Sequence, residues 1–118
     1  MSIQTYQKDV DKFLVEITLT AACYGLVNEV SVITRHLMTI DRAVGPALLA
    51  NGLARIVAKQ YPDALVFLDA LLAEPKLAKF HGEAHGFKAL ALKLKGDKVG
   101  LAQQLLQVDE SLAKALSA

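Results

Sequence analysis

Two histidines four residues apart, in the segment His81-Gly82-Glu83-Ala84-His85, are the sharpest candidates for chemistry in this chain. On a helix, positions i and i+4 share a face, and two imidazoles there could ligate a metal. Glu83 lies two residues from each histidine and points to the opposite side. In the zinc-protease pattern a glutamate directly follows the first histidine, so that motif is absent. A structural zinc site takes four ligands, and His36 and Cys23, the remaining histidine and the sole cysteine, lie far away in sequence. The pair reads as exposed and structurally ordinary, and neither a metal nor a cofactor is expected. Cys23 has no partner for an internal disulfide and sits in an apolar run. It reads as a buried thiol in a reducing compartment. Gly96-Asp97-Lys98-Val99-Gly100 lacks the spacing of a phosphate loop, and no nucleophile elbow is present. Asp9 with Asp11, and Asp109 with Glu110, read as charges at helix starts or on solvated faces. No catalytic residue is assigned, and an enzyme is not expected.

The elements that would carry these residues are helices. Strand signals are weak, and alanine and leucine dominate. Val10, Phe13, Leu14, Ile17 and Ala21 form one helical stripe, ending near Tyr24-Gly25. Asn28 is placed to cap a second helix carrying Val30, Ile33, Leu37 and Ile40. Gly45-Pro46 opens a third, with Leu48, Leu49, Leu53, Ile56 and Val57. Tyr61-Pro62-Asp63 opens a fourth, which holds Ala64, Phe67, Leu68, Leu71 and Leu72 and stops near Glu74-Pro75. A fifth is expected from about Leu77 to Lys95, ended by Gly96. Asp97 caps a sixth containing Leu101, Leu105 and Val108, and residues 110–118 form a last short helix. Gly82 and Gly86 each cost the fifth helix roughly 1 kcal/mol relative to alanine. Two readings of them stand: close packing against a neighbouring helix, or room for a ligand.

Hydrophobic residues make up 53% of the 118-residue chain and charged residues 21%. That is more apolar side chain than a small monomer easily hides, so the excess is expected to line a groove or meet a partner. The net charge is only +1, without a basic block, so no nucleic-acid partner is expected. The longest uncharged runs, residues 17–28 and 43–54, are 12 residues each. Spanning a bilayer takes roughly 20, so no membrane insertion is expected. Residues 1–13 lack a basic segment followed by an apolar one, so no signal peptide is expected. A cytoplasmic location follows from these readings.

The connections are short, which makes successive helices pack antiparallel. Residues 1–118 therefore read as one all-α domain of three antiparallel helical hairpins with a short C-terminal capping helix. Val30, Ala64 and Leu101 align at the second helix of each hairpin, in steps of 34 and 37 residues. The first step is the tetratricopeptide period. In the middle hairpin, Leu48, Gly52, Ala64, Leu68 and Leu71 fall at that motif's large, small, small and packing positions, while the large aromatic expected at Arg55 is absent. The expected architecture is a tetratricopeptide-like right-handed solenoid. The first helix of each hairpin would then line a concave face carrying Val15, Leu19, Ala22, Leu49, Leu53, Ile56, Gly86 and Leu90. An aliphatic lining suits an amphipathic helix anchored at i, i+3/i+4 and i+7. The ligand is either a partner's helix or residues 110–118 of this chain. A self-associating or structural adaptor is the alternative, with a homodimer when the chain is alone.

Residues 21–25, 48–54, 61–68 and 87–97, with a Tyr-x-Asp-Ala-Leu-x-x-Leu helix and an Ala-Leu…Gly-Asp turn, resemble the small tetratricopeptide-like proteins of bacterial type III secretion. These include the co-chaperones of the needle subunit, and the resemblance spans about residues 12–108. It implies that the chain hides the amphipathic C-terminal helix of a needle subunit and so prevents premature polymerisation. It also implies that a second small helical chaperone completes the complex. Val15, Leu19, Leu49, Leu53, Ile56 and Leu90 match the family's groove helices.

Overall fold

The structure, a computed structural model, describes residues 3–117 of the backbone and the side chains of residues 8–117. Seven α-helices and three short 3-10 segments account for most of these residues, and none of them is in a strand. The helices are α1 (Ile3–Cys23), α2 (Val27–Leu37), α3 (Val44–Val57), α4 (Tyr61–Leu72), α5 (His81–Lys95), α6 (Lys98–Gln104) and α7 (Glu110–Ser117). None of the described helices is long and apolar enough to cross a membrane.

Local chemistry sets most of the boundaries. Gly25 takes a left-handed conformation (φ +70°) after α1, and its N–H donates to Ala22 O. Gly96 (φ +88°) ends α5 in the same way, its N–H and that of Asp97 donating to Leu92 O. The Asp97 carboxylate then accepts from Gly100 N at 2.8 Å, which caps α6. Between α3 and α4 the left-handed position is filled by Lys59 (φ +64°).

Several expectations are corrected. Asn28 lies inside the first turn of α2, whose N-cap is Leu26 without a side-chain cap. Ile40 falls outside α2, in extended backbone before a 3-10 turn at Asp41–Ala43. The fifth helix starts at His81 rather than near Leu77, because Pro75–Phe80 forms a 3-10 segment with a non-helical Leu77. That segment is anchored by the Glu74 carboxylate accepting from Lys76 N and by burial of Leu77. Its Phe80 ring lies on Gly45, so closely that a methyl group there would overlap it. α6 ends at Gln104, leaving Leu105 in a 3-10 turn and Val108 in extended backbone.

The helices pack in sequence order: α1, α2 and α3 against one another, then α3 with α4, α4 with α5, and α5 with α6 and α7. The result is elongated, 50 × 26 × 22 Å, with a radius of gyration of 14.9 Å. A sphere-like domain of this length would have about 13.5 Å. The core is correspondingly divided along the long axis. Leu37, Ala43 and Ala47 form one cluster with Leu14, Val15, Ile33 and Ile40 around it. Ala22, Val30, Ala50 and Ala54 form a second. The largest, built on Leu48, Leu49, Ile56, Ala64, Leu68, Leu71, Leu77, Ala84 and Ala91, joins α3, α4 and α5. The many alanines let helix backbones approach closely.

The first helix is turned from the orientation its apolar stripe implies. Phe13 is 60% exposed and Ile17 41%, while Asp11, Thr18 and Ala22 are buried. The inward polar groups are satisfied: Asp11 pairs with Arg42, and Thr18 Oγ1 donates to Leu14 O at 2.6 Å. Cys23, one residue past the buried Ala22, consequently points outward and is exposed, not buried.

Candidate functional site

The expected groove residues are divided by the packing. Leu19, Ala22 and Leu53 meet in the alanine-rich cluster of α1, α2 and α3, with Ala22 buried and the leucines half-buried. Leu49 and Ile56 are buried in the main cluster, which Leu90 flanks. Val15 packs on the cluster around Leu37 and borders a cleft of about 340 Å³ whose other walls include Lys8, Asp11, Lys12, Arg42 and Lys79. Gly86 and Leu90 are brought together on a different cleft, formed by α5 and α7.

This α5–α7 cleft is lined almost entirely by apolar surface. Its volume is about 520 Å³, and it is lined by Gly82, Glu83, Gly86, Phe87, Leu90, Leu112 and Leu116. The shape follows from residue type. Gly82, Gly86 and Leu90 recur every four residues, so α5 presents two bare turns and then an aliphatic one on a single face. A methyl group at Gly86 would lie 3.0 Å from Leu112 Cδ2, whereas one at Gly82 would meet nothing within 4 Å. The two glycines differ: Gly86 receives a helix, and the exposed Gly82 borders unfilled space. The helix received is α7, the stretch expected to compete with a partner for the groove. Leu112 and Leu116, four residues apart, face α5, and Leu116 also borders a neighbouring cleft with Leu92 and Leu101. No residue of α7 is buried, and Leu112 is 39% exposed.

The two histidines flank this region but do not act together. His81 is the first residue of α5, and its Nε2 is 3.0 Å from Glu74 O. His85 Nδ1 is 2.8 Å from Nε2 of the buried Gln104 of α6. Both rings are half-buried rather than exposed, and each is engaged by a different neighbour. Desolvation, with the nearby charges of His81 and Lys88, lowers the pKa of His85 below the ordinary histidine value. Among the described residues no three histidine, cysteine, aspartate or glutamate side chains come together as a metal site would require.

Sequence reasoning missed a polar network behind the groove helices. Thr34 Oγ1 donates to Val30 O at 2.7 Å and accepts from Asn51 Nδ2 at 2.9 Å. Asn51 Oδ1 accepts from Arg55 Nη1 at 2.9 Å, and Arg55 Nη2 donates to Ser31 Oγ at 3.2 Å. The guanidinium lies 4.3 Å from the Phe67 ring centre. Arg55 thus fills, with a planar cation, the position where the repeat motif wants an aromatic. Burial lowers its pKa, partly opposed by Asp63, and a guanidinium so perturbed stays charged at neutral pH.

A second exposed surface was also missed. Phe13, Ile17, Tyr24 and Leu26 surround an open apolar hollow of about 450 Å³ on the outer face of α1, with Tyr24 76% exposed. Phe13 and Ile17 belong to the apolar stripe read from the sequence, but spacing alone does not show that they face outward.

Compared with known proteins, the chain matches no protein-family model, no curated protein and no solved structure.

Proposed function

We propose that this chain works by holding an amphipathic helix of another protein in an apolar groove, and that it performs no catalysis. The observation carrying this reading is the α5–α7 cleft: a glycine-floored, aliphatic surface that already receives one amphipathic helix and is only part-filled by it. Leucines four residues apart are the anchors that helix-in-groove recognition uses. Covering them removes the surface through which such helices self-associate.

The resemblance to type III secretion co-chaperones supplies the class of ligand: the C-terminal helix of a needle subunit, held soluble in the cytoplasm until export. A second small helical chaperone would complete the complex. In this reading the hairpins α1–α2, α3–α4 and α5–α6 stack as a tetratricopeptide-like right-handed solenoid, and α7 closes its end.

The exposed Phe13, Ile17, Tyr24 and Leu26 favour a second reading, in which the outer face of α1 joins two copies or docks the additional chaperone. Light scattering on the chain alone detects joining of two copies, and light scattering on its mixture with the additional chaperone detects docking.

The test of the groove is Gly82→Lys. Space is open at Gly82, and lysine is a better helix former than glycine, so the helical fold is expected to persist. The lysine stem would occupy the open space at the cleft's edge that a partner's helix would take, with its ammonium held in water. Co-purification with a co-expressed chain of the needle-subunit class should then be lost. Retained co-purification, with unchanged circular dichroism, would remove the cleft from the account.

A further inference from the structure

We infer that α7 is a built-in placeholder, which occupies the α5 cleft in the free chain and is displaced by a partner's amphipathic helix carrying leucines four residues apart. The inference rests on the helix-holding reading above and adds how the site is kept closed. Three observations carry it. First, α7 is seated as a ligand would be, with Leu112 against the bare turn at Gly86 and Leu116 lining the same cleft as Leu90. Second, it is seated weakly: none of its eight residues is buried. An eight-residue helix is also too short to be stable by itself, so its order depends on that shallow contact. Third, it is a poor fit, leaving about 520 Å³ of cleft and the whole Gly82 turn uncovered. A longer helix with a third leucine would cover Gly82, Gly86 and Leu90 together.

The tether sets the size of the effect. Only Val108 and Asp109 separate α7 from the 3-10 turn Leu105–Gln107 that follows α6, so α7 meets the cleft at an effective concentration of the order of 1 mM. If its intrinsic dissociation constant is about 0.1 mM, the cleft is free roughly one tenth of the time. An incoming helix then binds about tenfold more weakly than it would to an open cleft. Placeholding of this kind keeps the leucine-binding surface away from water and from chance partners. It also sets a threshold that only a better-fitting helix passes.

The probe is a fluorescein-labelled, alanine-based helical peptide of about 18 residues with leucines at i, i+4 and i+8, titrated by anisotropy into the full chain. Leu112→Asp combined with Leu116→Asp releases α7, and both side chains lie outside the buried core. The released variant should bind the probe about tenfold more tightly than the wild type. Equal affinity, or weaker binding by the variant, overturns the inference. A second measurement needs no variant. Amide exchange in wild-type residues 110–117 should accelerate at saturating probe while residues 82–90 become protected. Protection at 82–90 with unchanged exchange in α7 overturns the placeholder and leaves the helix-holding reading standing. Protection confined to α1 overturns both. A dimer formed by exchanging α7 between copies, seen by light scattering without probe, also overturns it.

Discussion

Replacing Gly52 by alanine tests how tightly α3 and α4 are fitted. An added methyl at Gly52 would lie 2.8 Å from Leu68 Cδ2 and 3.0 Å from its Cγ. Ordinary carbon–carbon contact is about 3.5–4.0 Å, so something must move by several tenths of an ångström. Leu68 is 0% exposed, in the middle of the main cluster, and has nowhere to go. Overpacking of this kind costs about 1–3 kcal/mol. The better helix propensity of alanine offsets about 1 kcal/mol of that. The expected net loss is therefore about 1 kcal/mol, read as a lower urea midpoint at unchanged slope. Leu68→Val makes room. On its own it costs about 1 kcal/mol, but in its background Gly52→Ala should be neutral or stabilising, a coupling of about 1–2 kcal/mol. Gly86→Ala is the internal contrast. Its neighbour is the flexible end of Leu112 on a half-open helix, so the same substitution should not destabilise α1–α6. Stabilisation by Gly52→Ala, or an equal penalty in the Leu68→Val background, would refute the packing argument.

Arg55→Ala should destabilise the chain by about 2 kcal/mol in urea unfolding. It strips the donor from Asn51 Oδ1, an acceptor on a buried residue, and uncovers Phe67. A change within about 0.5 kcal/mol would show the network to be incidental. His85 makes stability pH-dependent. Because its folded pKa is depressed, the folded state disfavours the protonated ring. The contribution is fully present above the unfolded value of about 6.5 and is lost as pH falls through the folded pKa. Chemical unfolding between about pH 7.5 and pH 5 should therefore show a drop that is smaller in His85→Gln. Parallel curves for the two proteins would contradict this.

The helices themselves were readable because their ends are written in local chemistry: Gly25, Pro62, Gly96 and Asp97 each act within a few residues of where they stand. What stayed hidden depends on contacts between distant residues. In α1, one helical stripe carries Phe13 and Ile17 and another carries Asp11, Thr18 and Ala22. Hydropathy favours burying the first. The second is buried because Arg42, 31 residues away, pairs with Asp11 and because Thr18 bonds its own backbone. The start of α5 at His81 is set in a related way. Leu77 continues an apolar pattern, but Glu74 and the Phe80–Gly45 contact hold its segment out of α-helix. His85 is half-buried rather than exposed because Gln104, 19 residues on, packs against its ring, and local spacing does not show that contact. The cleft had a legible trace in the matched spacing of Gly82, Gly86 and Leu90 with Leu112 and Leu116. Periodicity alone does not show which helix lies on which.

The most direct test of the central claim is amide exchange on the full chain in complex with a co-expressed, needle-subunit-like amphipathic chain. If α5 holds the partner's helix, new protection is concentrated between Gly82 and Leu90, with the partner's leucine-bearing helix protected in step. Complex formation with that stretch of α5 unchanged, or no complex at all, would contradict it.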